Sequence, residues 1–151
     1  MRTPDRAPDE GAAAVEFALV SLLLLTILFG ILQYGFFFFQ AAGVGHGARE
    51  GARLASLGIP PTTAGCDAFA STVQARAGGA DLTRVEATFT DTDGGPGITR
   101  GDTVAVRLVW APQNFGFLVV PFLGPTTDTT ATTRIERTNN VEPVTCVDTN
   151  P

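Results

Sequence analysis

The sequence predicts an α+β chain: a long N-terminal transmembrane helix extending into a stem, followed by a small domain of one helix on an antiparallel sheet of about three strands. Three observations carry this. Residues 11–39 form one uncut apolar run with a single carboxylate, Glu16, near its start. Residues 66–77 place Cys66, Phe69, Ala70, Val73 and Ala77 at helical spacing. Beyond them, three segments alternate apolar and polar residues with the period of two that half-buried strands require. The boundaries read from these patterns are a leader or cytoplasmic head over 1–11, the transmembrane helix and stem over 12–57, and a small extracytoplasmic domain over 58–151.

The apolar run comes first. From Phe17 to Phe39 it is longer than the roughly 20 residues that cross a bilayer core. A cleaved secretory signal has a positively charged head and an apolar stretch of only about 7–15 residues. Here the stretch is longer, and the head MRTPDRAPDEG holds two Arg against three acids. The run therefore reads as an anchor that stays. Arg2 and Arg6 before it are balanced by Arg49 and Arg53 after it, so charge alone does not set the orientation. The short head and the position of both cysteines beyond the span place the C-terminal domain outside the cytoplasm.

The stem, residues 40–57, reads QAAGVGHGAREGARLASL. Gly43, Gly47, Gly51 and Ala55 recur every fourth residue, a small-residue stripe that permits close helix contact. Each interior Gly also costs about 0.8–1.0 kcal/mol relative to Ala, which predicts a soft stretch on which the domain can pivot. Arg49, Glu50 and Arg53 read as a membrane-proximal group at headgroup level or on the solvated face. His46, the only histidine, has no Cys, Asp or Glu at ligand spacing and reads as solvated.

Gly58, Pro60 and Pro61 end the stem, and Gly78-Gly79 end the short helix after it. The strand faces are Val85, Ala87 and Phe89, then Val104, Val106, Leu108 and Trp110, then Ala131, Thr133 and Ile135. Asp91-Thr92-Asp93-Gly94-Gly95 has the opening of a calcium loop, but Pro96 stands at the sharp-turn position and Asp102 at the closing one, so a hairpin tip is expected and no metal. Residues 114–125, NFGFLVVPFLGP, form a connection that is apolar yet too short to span a membrane. It either folds back over the sheet or contacts a neighbouring subunit. The tail from Asn139 reads as flexible apart from Cys146.

Cys66 and Cys146 are the only cysteines. In an oxidising compartment the simple reading is a bridge between them, which would close a loop of about 80 residues and stabilise the domain by roughly 4 kcal/mol in the chain-entropy model. In a reducing compartment they would be two thiols. The net charge is −5, all ten basic residues are Arg, and no basic cluster exists to bind nucleic acid. No glycine-rich phosphate loop, Cys/His pair or metal cluster suggests an enzyme, and no cofactor is implied.

Gly11, Ala12-Ala13-Ala14-Val15, Glu16 and the long apolar run resemble the processing site of type IV prepilins and pseudopilins. More narrowly, GAAAVEFALV, LLLLTILFGILQYG and the following AREGARLAS resemble TadE-like proteins of tight-adherence (Tad) pilus systems, with GDTVAVRLVW a weaker part of the likeness. Phe17 stands where Tad prepilins often carry Tyr. The resemblance implies cleavage by a prepilin peptidase between Gly11 and Ala12, which makes Glu16 the fifth residue of the mature chain. It also implies a structural role beside other pseudopilins or pilins and the Tad assembly platform, in the lipid bilayer.

Physical chemistry gives that cleavage a reason. A charge at mid-span costs about 2.5–3.5 kcal/mol on insertion scales, less near the interface. Cleavage would free an α-amino group at Ala12 with a pKa near 7.7–8.0. Residues 12 and 16 are neighbours on a helix face, so Glu16 can neutralise this amine or that of a staggered subunit. The intermolecular pairing would set the axial register of a filament. The plainer alternative is an uncleaved bitopic anchor presenting a binding domain, with Glu16 favoured in the first turn by the helix dipole at about 0.3–1 kcal/mol.

Overall fold

The computed structural model describes residues 9–57, 66–94, 97–116, 124–136 and 146–148. Helix α1 runs Asp9–Ser56 and α2 Cys66–Arg76, followed by strands β1 Asp81–Thr90, β2 Thr103–Ala111, β3 Thr127–Arg134 and the short β4 Cys146–Asp148. The α+β class read from the sequence is the one observed, with three long antiparallel strands. Strand β4 adds to them, pairing antiparallel with the outer edge of β1, so the order is β3-β2-β1-β4. Three residues carry too little periodicity to be recognised in sequence.

The chain divides into two compact units, one of residues 1–35 with 114–119, the other of 36–113 with 120–151. In the first, α1 presents Val15, Phe17, Leu19 and nearly every later apolar side chain outward. In the second, the strand faces fall where alternation put them. Val85 pairs with Leu108, Ala87 with Val106 and Phe89 with Val104. Val106 in turn meets Ala131. A shift of register between Leu82 and Arg84 sets Leu82 against Trp110. Val85, Ala87, Val104, Val106, Leu108 and Trp110 are fully buried.

Helix α2 buries Phe69, Ala70 and Val73. Gly78 (φ 67°) and Gly79 (φ 78°) take the left-handed conformation that reverses the chain into β1. Gln74 fastens that reversal: its Nε2 donates to Ala80 O (2.9 Å) and its Oε1 accepts from Leu82 N–H (3.3 Å).

The core also draws on α1. Val44, Ala48, Ala52 and Ala55 are buried with α2 and the sheet. Gly43, Gly47 and Gly51 lie on the same side: a Cβ on Gly43 would stand 2.7 Å from Ala77 O, one on Gly47 3.2 Å from Ala77 Cα, and one on Gly51 3.0 Å from a Val73 methyl. The small-residue stripe is therefore a packing surface for this chain's own α2. It differs from the expected soft pivot because burial against a helix and a sheet replaces the flexibility that an isolated Gly-rich helix would have. Trp110 stacks on Phe37 (centroids 5.6 Å apart), and its buried indole N–H has no acceptor among the described residues.

Candidate membrane and assembly helix

Gly11, Ala12 and Glu16 lie in the first turns of α1 and are exposed. The helix begins at Asp9, so the Gly11–Ala12 bond is inside it. A Cβ on Gly11 would meet nothing within 4 Å, so its surroundings are open. Ala12 and Glu16, four residues apart, share a face. Glu16 has no ion-pair partner among the described residues.

Toward its middle the helix is dressed for lipid. Leu22, Leu23, Leu24, Ile27, Ile31 and Leu32 are all exposed large apolar side chains. The two hydroxyls among them turn back on the helix: Ser21 Oγ donates to Ala18 O (3.0 Å) and Thr26 Oγ1 to Leu22 O (2.7 Å). Each satisfies itself locally, as a polar group without water must. Of the described helices, α1 alone is long and apolar enough to cross a membrane, and its apolar window has no buried residue.

Gln33 interrupts this dress. It is buried, and its Oε1 accepts a hydrogen bond from the backbone N–H of Phe115 at 3.2 Å. Gln40, also buried, accepts from Gln113 N–H at 3.2 Å in the other unit. Sequence reading passed over both. The signal was there: two glutamines seven residues apart share one helix face with Phe37 between them, in a run otherwise almost free of amides.

Arg49, Glu50 and Arg53, expected near the membrane surface, sit toward the C-terminal end of α1. Arg53 Nε and Nη2 grip the two Glu50 carboxylate oxygens at 2.9 and 2.8 Å, and Arg76 Nη1 of α2 approaches at 3.6 Å. The Arg53 hydrogen bond, against the cost of partial burial, holds the Glu50 carboxyl below the usual carboxylate range, and Arg76 adds to it. The same contact raises Arg53 further. Arg49 is not in this pair. With Arg53 it lines a cleft of about 200 Å³ whose other walls are Ala52, Ala131, Thr132 and Thr133. That is smaller than the ligand pockets of about 300–1,000 Å³ that hold small molecules. His46 is exposed.

Cys66 opens α2 and is not a free thiol. The side chain of Cys146 lies outside the described residues; its backbone begins β4. Residues 1–8, 58–65, 95–96, 117–123, 137–145 and 149–151 likewise lie outside them, including most of the apolar connection and the tail from Asn139 apart from 146–148.

The hairpin tip between β1 and β2 gathers three carboxylates. Oxygens of Asp91, Asp93 and Asp102 lie within 4.8 Å of one another. Asp102 is buried and works as a staple: Oδ1 accepts from Thr92 N–H and Oγ1 (both 2.9 Å) and Oδ2 from Thr99 N–H (2.6 Å). Those backbone donors hold its pKa below the usual aspartate value despite its burial. Asp91 Oδ1 accepts from Asp93 and Gly94 N–H, which turns the loop. The cluster is thus engaged in holding the hairpin closed.

No curated protein and no solved structure matches the chain. The family model of TadE-like protein matches residues 11–53, so the segment from Gly11 and Glu16 through the Glu50–Arg53 pair is similar to TadE-like proteins.

Proposed function

We propose that the protein is a minor pseudopilin-like structural subunit of a Tad-type pilus or secretion assembly, held in the cell membrane by α1 with its C-terminal domain extracytoplasmic. The observation that carries this reading is the lipid-type surface of α1 with one exposed carboxylate, Glu16, five residues after Gly11, all within the TadE-like segment. A prepilin peptidase would cut after Gly11, and the amine freed at Ala12 would meet Glu16 of its own or a neighbouring chain. Its partners are then lipid, other pilins or pseudopilins and the Tad assembly platform. Its role is structural, not enzymatic. No cofactor and no nucleic acid enter it.

A bridge from Cys66 to Cys146 belongs to the same proposal. Cys66 and Cys146 are the chain's two cysteines, and α2, which opens at Cys66, packs beside β4, which starts at Cys146. An oxidising compartment for the domain suits this pairing.

N-terminal sequencing of the protein extracted from membranes tests the proposal. An end at Ala12 supports the pseudopilin, and an intact Met1 leaves a bitopic anchor instead. A Glu16→Ala variant should still be cleaved and inserted but fail to co-purify with its assembly partners. Normal co-purification would overturn the register argument.

A further inference from the structure

We propose that the tip of the β2–β3 connection, Asn114 to Gly116, is a second lipid contact, seated in the bilayer interface beside α1 at the level of Gln33. The proposal rests on the membrane-anchored reading of α1 and adds a partner surface to it.

The tip and the anchor form one compact unit of their own, residues 1–35 with 114–119. Within it, Gln33 is only 4% exposed while its helix neighbours Ile31, Leu32 and Tyr34 stay open to the surroundings. What covers Gln33 includes the tip, whose Phe115 N–H donates to its Oε1. The next backbone donor is also satisfied, since Gly116 N–H bonds Asn114 Oδ1 at 2.9 Å. On a wet surface water would serve both groups. In an apolar layer non-helical backbone is tolerated only when protein groups serve it, and an amide on the anchor helix answers that need.

The side chains agree. Phe115 is 49% exposed beside the lipid-type face of α1. The sequence from Phe115 to Leu123 has no charge and no hydrogen-bonding side chain. Depth agrees as well: 17 residues from Glu16 to Gln33 at about 1.5 Å each span about 26 Å, close to a hydrocarbon core of about 30 Å. If Glu16 lies near one interface, Gln33 lies near the other. Tyr34 is a residue type that collects at that level. Continuity with the exposed apolar helix surface favours lipid over a second subunit as the occupant.

The test uses the full chain in phospholipid vesicles with one tryptophan at a time. Trp110→Phe supplies the background, since it keeps a ring on Phe37 and removes an N–H that has no acceptor among the described residues. Into it go Phe115→Trp, Leu24→Trp for mid-span and Thr130→Trp for the exposed sheet. Lipids brominated high or low on the acyl chain act as depth-dependent quenchers, and acrylamide reports water.

Phe115→Trp should be quenched about twofold more by the shallow bromines than by the deep ones, as an interfacial aromatic would be. Leu24→Trp should respond most to the deep bromines, and Thr130→Trp to acrylamide alone. If Phe115→Trp follows Thr130→Trp while Leu24→Trp is quenched by deep bromines, the second contact is refuted and the anchor stands. Protection of Phe115→Trp from both quenchers would mean a protein neighbour, and that too refutes it. If Leu24→Trp escapes all bromines, the anchor reading fails and takes the second contact with it.

Discussion

Gly43 and Gly45 stand two residues apart in α1, and the structure gives the same substitution opposite consequences at each. In isolation either Gly→Ala change would favour the helix by about 0.8–1.0 kcal/mol. At Gly45 the new Cβ meets nothing within 4 Å, so that gain is kept. At Gly43 it would stand 2.7 Å from Ala77 O, 3.0 Å from Gly78 Cα and 3.2 Å from Ala77 C. All three are backbone atoms, so no rotamer change relieves the contact. The α2–β1 turn cannot yield easily, because Gly78 has a positive φ and Gln74 ties Ala80 and Leu82 on its far side. Forcing a methyl group into packed structure costs about 1–3 kcal/mol.

The helix-propensity gain is common to both variants and cancels between them, so their stabilities should differ by the overpacking cost, about 1–3 kcal/mol. Gly45→Ala should exceed wild type, and Gly43→Ala should fall to or below it by up to about 2 kcal/mol. Trp110 is the only tryptophan and lies in the core, so its fluorescence in denaturant titrations of the detergent-solubilised chain reports the domain directly. Equal midpoints, or Gly43→Ala above Gly45→Ala, would refute the idea that the stripe is packed against this chain's own turn.

Two further outcomes are expected. The lowered pKa of Asp102 means that its charged form is favoured by folding; its contribution is complete above the unfolded value of about 3.9 and is lost as pH falls below it through the folded value. Asp102→Asn should therefore lower the urea midpoint at about pH 7 and lose that deficit progressively as pH falls below about 3.9, and a deficit that is constant with pH would deny the role of the charge. If Cys66 and Cys146 are joined, Cys146→Ser should cost up to roughly 4 kcal/mol under oxidising conditions, and reductant should bring wild type down to the variant; a difference that survives reductant would dismiss the bridge.

The strands were legible because alternation is local. Val104, Val106, Leu108 and Trp110 announce a face whatever lies opposite. What lies opposite a stripe is not local, and this is where reading stopped. Gly43, Gly47 and Gly51 show that something must come close, but only the fold shows that it is the Ala77–Gly78 turn. The hairpin tip follows the same rule. Scanning residues 91–102 as one linear loop fails at Pro96. The pairing of Thr90 with Thr103 nevertheless sets Asp91 and Asp102 side by side, and no linear template contains that step. At the candidate site, Gly11 and Glu16 were legible from their spacing, whereas Gln33 needed a partner 82 residues away to acquire a meaning.

The use of the small-residue stripe bears on how such a subunit could associate. In lipid the hydrophobic effect does not drive one helix onto another, and close packing of small residues is the usual substitute. The stripe of Gly43, Gly47 and Gly51 lies beyond the level of Gln33 along α1 and is already covered by the chain's own α2 and the turn after it. The surface left from Val15 to Leu32 is mostly bulky and apolar, chemically the same as a lipid tail, with Ala18 and Gly30 as scattered small residues. Ser21 and Thr26 offer no free donor, because both are turned onto their own helix. Of the strongly polar side chains on that stretch, Glu16 alone remains to prefer a neighbour over a lipid tail and one axial position over another. The proposed pairing with the Ala12 amine thus acquires a reason beyond its own charge: along this part of the helix it is the strongest source of specificity that the described surface retains.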